Sequence, residues 1–174
     1  MPTRPSAIGS LTGHSAGWHS STHAIGFPFL LKGLGVGEVI VNIVLENVID
    51  RERYLDGQIT EAVIRMHRMS AIVDTSAVML SLPQDVVDKL GLRMQRTVIV
   101  TYADERREER DVAGPVTIRI GERFMNTDCV VCPPLSEALI GQIILEELDL
   151  IPDCQNQKLQ PRPESPIYPS LKMK

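Results

Sequence analysis

Residues 71–83 read AIVDTSAVMLSLP, and the fold turns on how that stretch is taken. Ala71, Ile72 and Val73 suit a buried strand, because β-branched apolar side chains favour a packed, pleated environment. Ending such a strand on Asp74 is costly unless the carboxylate is hydrogen-bonded or shared with a partner. Thr75 and Ser76 place short hydroxyl donors at the next two positions, and Ala77 leaves the backbone uncrowded. A buried, donor-surrounded carboxylate is what acid–base catalysis needs. Asp-Thr-Ser also describes an ordinary turn or helix cap, since all three side chains bond their own backbone. Both readings stand on the tripeptide alone.

A second segment weighs between them. Leu139-Ile140-Gly141 is another apolar strand ending abruptly, and it runs into the helical pattern QIILEELDL. Together the two segments resemble the retropepsin-like (clan AA) aspartic proteases, in their bacterial single-domain form. In that family an Asp-Thr/Ser-Gly loop follows an apolar strand, and a later apolar-apolar-Gly strand threads the loop before a short helix. The resemblance spans roughly Glu38 to Leu159. It implies an all-β fold, mainly β with two short helices, closed into a barrel that forms one half of a homodimeric acid protease. It makes Asp74 catalytic, with Thr75, Ser76 and Ala77 supporting its loop and Ile140 and Gly141 packed beneath as structural residues. The chain departs from the family in carrying Ser76 where the third position of the triplet is usually glycine.

The remaining composition narrows the alternatives. A chain of 174 residues supports one domain with a proper core. Only 4% of it is aromatic, so the core must be aliphatic. The net charge of −4, with no Lys/Arg run, argues against a nucleic-acid footprint. No apolar run approaches the ~20 residues of a membrane span. Three cysteines make no disulfide framework and fit a reducing cytoplasm. Cys129 and Cys132 form a CxxC, but Cys154 stands alone and His67 is isolated, so no second ligand pair exists for zinc. Neither a metal nor a cofactor is expected.

Along the chain, residues 1–35 are rich in Ser, Gly, Thr and His without any period, which predicts a disordered leader. It lacks the basic-then-apolar plan of a signal peptide, and His14, His19 and His23 have no carboxylates beside them. Val36-Gly37-Glu38 is expected to be the natural start of the working protein. Residues 36–160 then form the protease-like domain, and the proline-rich 161–174 an extended tail. VIVNIVLEN is a first strand; Asp50–Gly57 reads as a charged surface excursion, and residues 62–70 as a strand followed by a bend. Pro83, Asp85 and Gly91 punctuate a short helix. Residues 97–102 and 111–120 flank a polar tip, the pattern of a long hairpin. By resemblance this hairpin is the substrate flap, with Tyr102, Ala103 and Asp104 near a bound peptide. Its tip lacks the glycines of viral flaps. The last helix, residues 142–148, is expected to turn Ile143, Ile144 and Leu148 inward, and residues 157–159 to add an edge strand.

Hydrolysis by aspartates needs two carboxylates sharing a proton around a water. No second Asp-Thr/Ser-Gly/Ser triplet occurs in the chain. The function expected is therefore an endopeptidase whose dyad is built from Asp74 of two subunits, acting on peptide or unfolded protein. By resemblance the Thr75 hydroxyl bonds across the dyad to the partner backbone. The alternative is a catalytically silent dimer of the same fold that binds peptide segments or a protein partner.

Overall fold

Successive side chains of a strand point to opposite faces, and β1 (Ile40–Asn47) buries every second residue from Ile43, with Ile43 and Leu45 almost wholly excluded from solvent. The computed structural model describes residues 38–102 and 104–171. The expected leader, the Val36-Gly37 start and flap residue Ala103 lie outside them. After β1 come helix α1 (Val48–Leu55), a 3-10 turn (Glu61–Val63), β2 (Met66–Val73), β3 (Leu80–Pro83) and helix α2 (Gln84–Leu90). The long hairpin is β4 (Arg93–Thr101) and β5 (Arg107–Ile120), followed by β6 (Arg123–Cys132), β7 (Ala138–Ile140) and helix α3 (Gln142–Glu147). A two-stranded ribbon, β8 (Leu150–Asp153) and β9 (Lys158–Pro161), follows.

The main sheet runs β1-β2-β7-β3-β6-β5-β4, and β1 also pairs with β5. That extra pairing closes six strands into a barrel, with β4 hung outside it on β5. Strand β5 serves three neighbours: residues 107–114 face β4, 116–119 face β1, and β6 runs along 112–120. Register shifts lie where it changes neighbours, between Ala113 and Val116 and across from them between Met94 and Arg96. An inserted residue bends a strand and increases its twist, which lets β5 leave the barrel as one arm of a hairpin. Pro115, which has no N–H to donate, falls in this irregular stretch.

The core is aliphatic, as the composition requires. Leu80, Leu82, Leu90, Ile118, Ile140 and Ile144 are fully buried, and no aromatic ring is buried among the described residues. Each such side chain contributes about 1.5–3 kcal/mol through burial. Helix α2 closes one side with Val86, Val87 and Leu90 inward, and ends on Gly91 at φ +58, a left-handed cap that glycine adopts without strain.

Four local expectations are corrected. The stretch expected as a surface excursion is helix α1, a third α-helix beyond the two expected. It is held by polar contacts and not by an apolar stripe: Asn47 caps it by accepting from the Asp50 amide, and buried Asp50 takes a two-pronged bond from Arg65. Strand β2 begins only at Met66 and runs unbent to Val73. In α3, Ile143 faces out and Leu145 faces in beside Ile144. The tail is no free extension. Ser165 is buried, and Arg123 donates to the carbonyls of Leu148, Asp149 and Ser165, strapping the chain onto the barrel.

Candidate active site

Strand β2 delivers Asp74 to the barrel surface. Parallel pairing sets Ala71, Ile72 and Val73 opposite Ala138, Leu139 and Ile140, and the Asp74 amide continues the ladder to the Ile140 carbonyl at 3.1 Å. The chain then turns, the Ala77 amide donating back to the Asp74 carbonyl at 3.1 Å. Within the turn, the Ser76 amide and hydroxyl both donate to Asp74 Oδ1, at 2.9 and 2.6 Å. No described residue donates to Oδ2. One carboxylate oxygen is thus oriented while the other stays open to a water or a substrate. Asp74 is half-buried in the single chain, less enclosed than the sequence suggested, while Thr75 and Ser76 are exposed and Ala77 half-buried. Ser76 is not among the residues of positive φ, so its backbone tolerates the Cβ that glycine would lack.

The loop is clamped from below. Gln142 donates its amide to the Ala77 carbonyl at 2.8 Å, and Ile143 to that of Val78 at 3.1 Å. Between them and buried Ile140 lies Gly141. A Cβ there would stand 2.5 Å from the Met79 carbonyl oxygen and 2.6 Å from the Val78 carbonyl carbon. Backbone cannot move aside as a side chain can, so only glycine fits this crossing. Beside it, Val78 and Ile143 expose apolar side chains at 62% and 44%.

The hairpin tip is built without glycine. Tyr102 and Arg106 close it, with the Tyr102 amide on the Arg106 carbonyl at 2.9 Å, and Glu105 takes φ +62 to make the turn. Asp104 accepts from the Arg106 amide and from its Nε at 2.8 Å, which holds the Asp104 carboxyl below its usual range. Arg106 lies 5.0 Å from the centre of the half-buried Tyr102 ring and also bonds Glu108, which in turn takes Arg110. Arg110 reaches the Tyr102 hydroxyl at 3.2 Å. Glu108 and Arg110 share the strand face that continues into buried Val112. The polar tip expected of this hairpin is thus shorter than the charge run, because Glu108 and Arg110 alternate in step with Val112. No hydrogen bond or ion pair joins Tyr102 or Asp104 to residues 74–77 among the described residues.

Cys129 is buried, Cys132 half-buried and Cys154 exposed. Burial first, then the nearby Asp128, pushes the Cys129 thiol up to about 12, and burial raises Cys132 as well. Among the described residues no three His, Cys, Asp or Glu side chains gather as a metal site, and no helix is long and apolar enough to cross a membrane.

Residues 60–147 match the family described as gag-polyprotein putative aspartyl protease. Among solved structures, the EIAV protease in complex with the inhibitor HBY-793 is similar at 21% identity and a TM-score of 0.38, over 47% of this chain and 77% of that one. No curated protein matches the chain.

Proposed function

This chain belongs to the retropepsin-like aspartyl protease family, and from that premise we propose that it is an aspartic endopeptidase working as a homodimer through Asp74. The observation that carries the proposal is the presentation of Asp74: a carboxylate at a strand end, one oxygen held by Ser76 and the other open, on a loop clamped by Gly141. One such loop per chain supplies half a dyad, and a two-fold axis supplies the other half. Exposed Val78 and Ile143 beside the loop give that contact an apolar margin.

Two carboxylates about 3 Å apart cannot both ionise, so the pair shares one proton. The ionised Asp74 takes a proton from the bound water as its oxygen bonds to the peptide carbonyl carbon. The protonated Asp74 of the partner subunit gives its proton to the carbonyl oxygen. The tetrahedral diol then collapses: Asp74 passes the proton it took from water to the leaving nitrogen, the ionised Asp74 of the partner subunit takes back one hydroxyl proton, and the C–N bond breaks to give an amine and a carboxylic acid. Ser76 keeps Oδ1 in place through the cycle, and the Thr75 hydroxyl, without a partner among the described residues, is free to bond the second loop. The substrate lies as an added strand beneath the β4–β5 hairpin.

A shared dyad makes a quantitative demand. When wild-type chains are mixed and re-equilibrated with Asp74→Asn chains, activity follows the square of the wild-type fraction. A linear dependence means that each chain works alone and contradicts the proposal. The charge-locked hairpin favours a second reading, a peptide-binding dimer that does not cut; there, peptide affinity survives Asp74→Asn and no product forms.

A further inference from the structure

At the far end of β1 from Asp74 the surface is concave and basic. Val39, at the near end, accepts from the Val73 amide beside the catalytic loop, whereas Asn47, at the far end, lines a cavity of about 260 Å³. About 26 Å of strand separates the two. Arg53, Arg65 and Arg93 converge on this cavity, and Asp50 is its one lining carboxylate.

Asp50 is already consumed. Its two oxygens take Nε and Nη2 of Arg65 at 2.6 and 2.8 Å, and the Arg65 amide adds a third bond at 3.1 Å. Asn47 is consumed as well, donating to the Leu90 carbonyl at 2.8 Å while capping α1. Asp128 stands against Gly114 but is taken by Gln95 and Arg96. Among the described residues Arg53 and Arg93 have neither an ion pair nor a hydrogen-bond acceptor, and Nη1 of Arg65, lying over Gly91, has none either. Two formal positive charges are left uncompensated in one recess of a chain whose net charge is −4. Guanidinium groups present planar forks of donors suited to oxyanions. The cavity exceeds a water's share of about 30 Å³ several-fold, enough for a ligand larger than a single ion.

We propose that this recess binds a small phosphate-bearing solute, with Arg53 and Arg93 as its principal donors and Arg65, pinned by Asp50, as the fixed wall. Neither Arg53 nor Arg93 makes a side-chain hydrogen bond or ion pair among the described residues, and Arg65 alone bonds Asp50, so their replacement is expected to leave the fold intact. The test is calorimetric titration of the full-length protein with inorganic phosphate, pyrophosphate and a phosphoserine peptide at constant ionic strength. Pyrophosphate is expected to bind saturably at one site per chain, and at least tenfold more weakly to Arg53→Gln/Arg93→Gln. Asp74→Asn protein is expected to bind it like the wild type, so the result does not depend on peptidase activity. Absence of saturable binding, equal binding by the double variant, or binding of the phosphoserine peptide alone overturns the proposal.

Discussion

The Asp74 amide donates to the Ile140 carbonyl at 3.1 Å, making the candidate catalytic residue and the strand beneath it one hydrogen-bonded unit. The bond extends the β2–β7 ladder by one residue past Val73. The backbone position of Asp74 is thereby set by β7, while Ser76 in the turn that follows orients its carboxylate. Whatever disturbs residues 138–141 is expected to disturb the carboxylate.

Gly141→Ala tests this coupling. The new Cβ meets main-chain atoms of Val78 and Met79 at 2.5–2.7 Å, where no rotamer change relieves it. The cost is about 3 kcal/mol, the upper end for overpacking, read as a lower urea midpoint. Peptidase activity is expected to vanish even below that midpoint, because the loop itself is displaced.

Ser76→Ala removes the 2.6 Å hydroxyl bond to Asp74 Oδ1 and keeps the amide bond at 2.9 Å. A hydrogen bond to a charged group is worth about 1.5–3 kcal/mol, so kcat/KM should fall about tenfold or more with stability nearly unchanged. Steady-state kinetics on one peptide suffices. Unaltered kcat/KM would show that the serine hydroxyl is incidental.

Asp149 gives the fold a defined acid limit. The Ser165 hydroxyl, then the Ser170 amide and Arg162, lower its carboxyl to about 2. The ordinary aspartate value is about 3.9. Because the folded value is the lower one, the stabilisation is fully present above about pH 4 and is lost as pH falls toward 2. Relative to Asp149→Asn, wild-type stability should be constantly higher above pH 4 and converge on the variant between 4 and 2.

Asp50→Asn probes the clasp of α1. Asp50 is 4% exposed and Arg65 holds its carboxyl below the usual range, whereas the Arg65 side chain remains 45% exposed. The orphaned guanidinium can therefore turn to water, which keeps the loss to about 1–3 kcal/mol. Thermal unfolding followed by circular dichroism measures it; an unchanged midpoint would mean that the Asn47 cap alone holds the helix.

What the sequence disclosed and what it withheld have different physical origins. Strands β1 and β7, the apolar end of β2 and helix α2 declare themselves through apolar runs and punctuation by Pro83 and Gly91. Gly141 is legible as the end of an apolar strand, and the structure supplies the reason, a backbone crossing. Helix α1 escaped because polar contacts hold it: Asn47, Asp50 and Arg65 are separated in sequence, and no period links them. The tail escaped likewise, since its anchor is Arg123, buried at 6% exposure, whose carbonyl partners leave no trace in residue type. At the tip of the β4–β5 hairpin, Glu105 at φ +62 stands in for the glycine that such a turn usually takes.

The most direct test of the central claim is exposure of a diverse unstructured peptide pool to the full-length protein and to Asp74→Asn, from acid to neutral pH, with products identified by mass spectrometry. The account predicts internal cuts by the wild type that are absent from the variant at every pH. A pool left intact by a folded, dimeric wild type, or cut equally by both proteins, would contradict it.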